Sequence, residues 1–300
     1  MSPSNPHDTL IRQIFSLKED AISFLESTLP KEVVSTLDLG GLEQTKESFV
    51  KENTTHTDIL WKIPTKHKKS IFIYLLLEHK SYYDPHIYLQ LLGYLASIYS
   101  WQKENKQTLS PVIPFVFYHG EKQWNLGKEF LNQFGIDNSL KSLIQYIPNF
   151  KIELLDLEKT SVQETFKNLR LKIFLSLIQK IRDNIEQFRP LYLQVLRELR
   201  KVDSEAKRIE ILEKILYYLF STREKDAKEF REEKIYRLEG LGEDYMTVIE
   251  EIKLEGKLEG ERKGKLDAAE KMIAKGIALP DILEITGLSE DDLKERGLLG

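Results

Sequence analysis

Seven consecutive apolar residues, Ile71 to Leu77, run straight into Glu78-His79-Lys80. A run of this length suits a β-strand covered on both faces, and so an α/β architecture with helices packed on a sheet. A carboxylate at the end of such a run needs something to offset its desolvation. Residues two apart on a strand share a face, so Glu78 and Lys80 project together while His79 turns away. The piece before it, Thr57–Ile63, is joined through the turn-like PTKHKK of Pro64–Lys69 to a second piece, Ser70–His79. If the two form a hairpin that reverses near residue 66 or 67, Asp58 faces about position 76, within two residues of Glu78.

A hard divalent cation shared by Asp58 and Glu78 would compensate the buried charge. Mg²⁺ is held by one or two carboxylates together with phosphate oxygens and water. With an ammonium beside it, that arrangement suits hydrolysis of a phosphodiester. The same residues also suit a strand-end salt bridge, Glu78 with Lys80 or Lys62, that has no catalytic duty.

Composition narrows the chemistry. The chain has no cysteine, which excludes disulfides, thiolate zinc sites and thiol nucleophiles, and its six histidines are scattered, so a metal here is expected to be oxygen-ligated. Forty-four basic residues against 48 acidic ones leave a net charge of −4, so nucleic acid would have to be met by a local basic patch. Lys66, Lys68 and Lys69 form one such patch, a candidate DNA contact that is more simply read as a solvated hairpin tip. No apolar stretch is long enough for a signal peptide or a membrane span, and the expectation is a cytoplasmic protein without a membrane partner.

Around the hairpin, apolar spacing predicts a helix from about Asp8 to Leu29, a strand over Glu47–Asn53 and a helix from Pro85 to about Trp101. Further strands are expected at Val112–Tyr118 and Ile152–Leu157. From Ser161 on the pattern is helical: Phe166–Ile181, Glu186–Lys201 and Ser204–Phe220. After Tyr245 the glycines Gly256, Gly260 and Gly264 recur every fourth residue among charges. They make either a face for close backbone approach or a frayed, charged linker. In the tail, Pro280 suits a helix start, Gly287 a stop, and Ser289 an N-cap with Asp292 three residues on. Three regions follow: an α/β core over 1–158, a helical subdomain over 159–245, and a charged glycine-repeat helix with a small helical tail over 246–300. The tail has too little apolar surface before Met272 to fold alone, which points to a partner copy or to DNA.

Five blocks occur in order: NPHDTLIRQIF, TDILWKI, IYLLLEHKS, PHIYLQLLGYLASIYSWQ and PVIPFVFYHGEKQW. Together, over about residues 5–150, they resemble the recombination-promoting nuclease/putative transposase (YhgA-like) family of the PD-(D/E)XK nuclease superfamily. The resemblance implies a restriction-endonuclease-like core with an α-helical C-terminal region, and a Mg²⁺-dependent DNA endonuclease that promotes recombination. It implies that Asp58 and Glu78 are the metal carboxylates and Lys80 the third catalytic residue, at a position where many members carry glutamine. It also implies an auxiliary role for Asp8, which otherwise reads as an N-cap, while helical spacing alone makes Gln90 an auxiliary candidate. His119 matches the family's Tyr-His-Gly block, where a structural hydrogen bond is the expected duty. Gln90, Tyr94, Ser97 and Trp101 share helical spacing and could line a groove facing DNA. A catalytically inactive DNA-binding or assembly module of the same fold, and a homodimer formed through the C-terminal region, are compatible with the same residues.

Overall fold

The computed structural model describes residues 5–45, 59–66 and 72–299, with 72–78, 138, 255, 256 and 259 described by their backbone alone. It is a mixed α/β protein, mostly helical. In chain order the elements are α1 (Pro6–Phe15), α2 (Lys18–Thr28), α3 (Lys31–Thr36), β1 (Glu43–Gln44), β2 (Ile59–Pro64), β3 (Phe72–Lys80), α4 (Ile87–Glu104), β4 (Val112–Tyr118) and β5 (Glu153–Asp156). There follow α5 (Val162–Thr165), α6 (Leu169–Lys180), α7 (Ile185–Leu199), α8 (Glu205–Thr222), α9 (Ala227–Phe230), α10 (Glu233–Leu238), α11 (Gly242–Ala274), α12 (Leu279–Thr286) and α13 (Glu290–Glu295). The chain divides into two compact units, Met1–Asp203 with Lys214–Glu232, and Ser204–Glu213 with Glu233–Gly300. No helix among the described residues is long and apolar enough to cross a membrane.

The five strands lie in the order β1-β2-β3-β4-β5, antiparallel from β1 to β3 and parallel from β3 to β5. Alternation along the strands sorts the core into two faces. Leu60, Val116 and Tyr118 pack with Tyr88, Leu91, Tyr94 and Ile98 of α4. On the other face, Trp61 meets Phe15 at 5.5 Å between ring centroids, and Phe24 meets Phe115 at 5.3 Å and Phe166 at 6.0 Å. That side is tied together by a buried ion pair of Asp20 on α2 with Arg170 on α6, to which Asn168 adds a 2.9 Å hydrogen bond. Burial raises the Asp20 carboxyl against the opposing pull of Arg170.

Several sequence expectations change here. The first helix is two, because a single straight helix would set Lys18, seven residues after the buried Ile11, on the core face. The hairpin closes later than expected, pairing Pro64 with Phe72 and Ile59 with Leu77. The cause is a third segment: Asp38 N–H donates to the Pro64 carbonyl and Leu37 bridges Thr65, which keeps β2 extended beyond the expected turn. The strand expected over Glu47–Asn53 lies outside the described residues, among which the sheet edge is the two-residue β1. Pro85 precedes α4 in a turn held by Asp84, whose side chain accepts from the His86 N–H at 2.8 Å.

In the second unit α11 is one continuous helix of 33 residues, so the glycine repeat is neither a linker nor a break. A Cβ added at Gly260 or Gly264 would meet nothing within 4 Å. Tyr236 and Tyr245 stack with centroids 3.9 Å apart, and Arg208 pairs with Asp244 at 2.9 Å. The tail is a three-helix cluster of Ala269, Ile282, Leu288 and Leu293. Gly287 takes the left-handed conformation (φ 65°) that ends α12, and Ser289 with Asp292 forms a capping box on α13. The first turn of α13 carries Glu290, Asp291 and Asp292, a helix start that would repel the phosphates a DNA-reading helix approaches.

Candidate active site at the end of the central strand

Lys80 closes β3 on the face that α4 covers and is 2% exposed. A buried ammonium needs acceptors, and helix and loop supply them. Gln90, one turn into α4, accepts from Lys80 Nζ at 2.8 Å through Oε1, and its own amide donates to the Tyr94 hydroxyl at 2.8 Å. The 90/94 spacing sets both side chains on one helix face. Asp84 Oδ2 lies 3.3 Å from Nζ, and the Tyr82 ring faces the ammonium at 5.3 Å. Asp84 was not singled out from sequence; its only signal was a carboxylate just before a proline-led helix start.

Position 78 pairs with Val116 and lies on the same face of β3 as Lys80. The side chain of Glu78 is not described, and Asp58 lies outside the described residues. The last described hairpin pair, Ile59 with Leu77, consists of their neighbours in sequence. Lys62 pairs with Tyr74, four residues short of position 78. Among the described residues no group of three or more His, Asp or Glu is placed to hold a metal ion. The donors the sequence offers at this strand end are oxygens, and Asp84 adds a further carboxylate, a set that fits a hard divalent cation.

The opposite face of β3 carries a second polar cluster. Asp8 is not the N-cap of α1, a place taken by Asn5, which accepts from the His7 N–H. Instead its Oδ1 is 2.7 Å from His79 Nδ1, and His79 Nε2 is 2.8 Å from His119 Nε2. His119 is fully buried, and its Nδ1 has no hydrogen-bond partner among the described residues. His7 shares a 2.9 Å hydrogen bond with the Tyr218 hydroxyl and sits 4.9 Å from the His119 ring. Burial, then the neighbouring His79 and Arg182, brings His7 down to about 4, while Asp8 pulls the other way. Burial likewise holds His119 well below the ordinary imidazole range.

Of the other sequence candidates, Ser97 bonds the Gly93 carbonyl of its own helix and Trp101 packs against the α4-side core. Lys66 is exposed beyond the end of β2, and Lys68 and Lys69 lie outside the described residues.

A family model described as "Putative transposase, YhgA-like" matches residues 5–210. The chain belongs to that family. It is 29% identical over 256 residues to recombination-promoting nuclease RpnD of Escherichia coli O157:H7, covering 83% of this chain and 94% of that protein. It is 27% identical over 301 residues to recombination-promoting nuclease RpnA of E. coli K12, covering 97% and 96%. Over 97 residues it is 34% identical to a K12 protein named putative inactive recombination-promoting nuclease-like protein YjiP, covering 32% of this chain and 93% of that protein. No solved structure matches.

Proposed function

We propose that the chain is a metal-dependent DNA endonuclease with a PD-(D/E)XK-like core, whose strand breaks promote recombination in the cytoplasm. The observation that carries this is the fully buried Lys80, held by Gln90 and Asp84 at the end of β3, two residues after Glu78. A lysine has little reason to be sunk there for stability alone, since an apolar residue would satisfy the site without desolvating a charge. The names of RpnA and RpnD support the same reading.

In this scheme Asp58 and Glu78 hold Mg²⁺, with Asp84 in reserve as a further oxygen donor. Bound there, Mg²⁺ supplies Lewis-acid polarisation of the scissile phosphate. Lys80 offsets the charge that builds on the phosphorus oxygens and orients the attacking water. Gln90 fixes the ammonium through its amide oxygen, and Tyr94 fixes Gln90. Lys66, Lys68 and Lys69 make phosphate contacts on the hairpin, and the second unit mediates homodimerisation, which brings two sites to one duplex. A second reading, a DNA-binding module without activity, draws on the relative named inactive. Purified protein should convert supercoiled plasmid to nicked and linear forms in Mg²⁺ and not in EDTA. Binding without conversion would establish the second reading.

A further inference from the structure

The cluster behind β3 admits a proton count. A carboxylate only accepts, so at 2.7 Å from Asp8 the His79 Nδ1 is the donor. One proton lies between the two Nε2 atoms 2.8 Å apart. Were it on His79, the imidazole would be doubly protonated and His119 would bury an orphaned Nδ1–H. Orphaned donors are rarer in protein interiors than under-satisfied acceptors. With the proton on His119 Nε2, the His119 Nδ1, which has no partner among the described residues, is a bare acceptor, and His79 donates only through Nδ1.

The order Asp8, His79, His119 therefore has a direction, and it joins three elements distant in sequence. Asp8 comes from α1, His79 stands between Glu78 and Lys80, and His119 follows β4. The ends of β3 and β4 are held together at the same level: His119 N–H donates to the Lys80 carbonyl at 3.0 Å, and Arg182 donates to the carbonyls of both Ser81 and His119.

We propose that Asp8 is a positioning residue for the reaction: by fixing His79 as the Nδ1–H tautomer that accepts from His119, it braces the end of β3 and so aims Glu78 and Lys80. This rests on the reading of those two residues as the hydrolytic centre. Neither Asp8 nor His119 touches DNA or metal in this scheme; both act through His79, on the far face of the strand. The arrangement parallels an orienting carboxylate that holds an imidazole in one tautomer, here with the imidazole serving the strand and not the substrate.

The test uses full-length, ¹⁵N-labelled protein without metal or DNA, near neutral pH, with long-range ¹H–¹⁵N spectra of the imidazole nitrogens and His79 assigned by its loss in His79→Asn. The expected pattern for His79 is a protonated Nδ1 and a bare Nε2. Asp8→Asn, whose amide can play either part, should lose that single pattern. In the plasmid assay it should lower kcat about 10- to 100-fold at unchanged KM, the scale of an orienting partner's loss. Asp8→Glu should restore part of the rate. A wild-type His79 that is Nε2–H or doubly protonated overturns the brace, as does Asp8→Asn with wild-type kcat. Because the first readout is on wild-type protein, a variant that fails to fold does not shield the idea. Wild-type protein with the expected tautomer but no cleavage overturns the nuclease reading, and the positioning role with it, a pattern distinct from either of the others.

Discussion

His7 provides a pH-dependent stability that can be separated from every other titration in the protein. Its imidazole packs against His119 and bonds Tyr218, and burial brings it from 6.5 to about 4. The folded state therefore resists a proton that the unfolded chain accepts. The contribution is fully present above the unfolded value near 6.5 and is lost as pH falls toward 4. At about pH 4.5 the linkage amounts to about 2.5 kcal/mol. Other groups also take up protons on acidification, so the test is differential. His7→Gln keeps a hydrogen-bonding group near Tyr218 and removes the titration. Urea unfolding at about pH 7.5 and about pH 4.5 should show wild type losing about 2 to 3 kcal/mol more than the variant between the two conditions. Equal losses in the two proteins would mean that His7 is not the buried neutral imidazole described above.

Asp84→Ala withdraws a carboxylate from the buried Lys80 and should lower both kcat and stability, the latter by about 1–3 kcal/mol; no change in either would remove Asp84 from the site. Asp20→Ala strands the buried Arg170 and should cost about 3–5 kcal/mol in urea unfolding, and a loss under about 1 kcal/mol would refute the reading of that pair. Leu254 and Leu258, one turn apart on α11 and 58% and 56% exposed, should mediate self-association. Leu254→Asp with Leu258→Asp should lower the mass found by light scattering, and an unchanged mass would place the contact elsewhere.

Features set by neighbours in sequence were legible. The strand Val112–Tyr118, an apolar run between Pro111 and His119-Gly120, stands as expected, and so do the caps at Gly287 and Ser289. Strand parity separated Lys80 from His79, and helical spacing put Gln90 and Tyr94 on one face, where the structure joins them to Lys80. Features set at a distance were not. The hairpin register depends on Leu37 and Asp38, a segment with no strand pattern of its own. Asp20 gives no hint of Arg170, 150 residues away, nor Asp8 of His79, because a polar residue in a helix reads the same whether it faces water or a buried partner. Histidine is especially opaque in sequence: His119 matched a family block, but its pairing with His79 needed the parallel register of β3 and β4.

Glu78 is the residue on which hydrolysis depends in the proposed site. Plasmid cleavage in Mg²⁺ should disappear in Glu78→Ala while DNA binding persists and the melting temperature holds or rises, since in the proposed site removal of one of two carboxylates would relieve repulsion in the metal-free protein. Asp58→Ala should behave alike, whereas Lys80→Gln, which keeps a hydrogen-bonding side chain beside Gln90, should keep partial activity. Cleavage by Glu78→Ala at the wild-type rate would mean that Glu78 holds no catalytic metal.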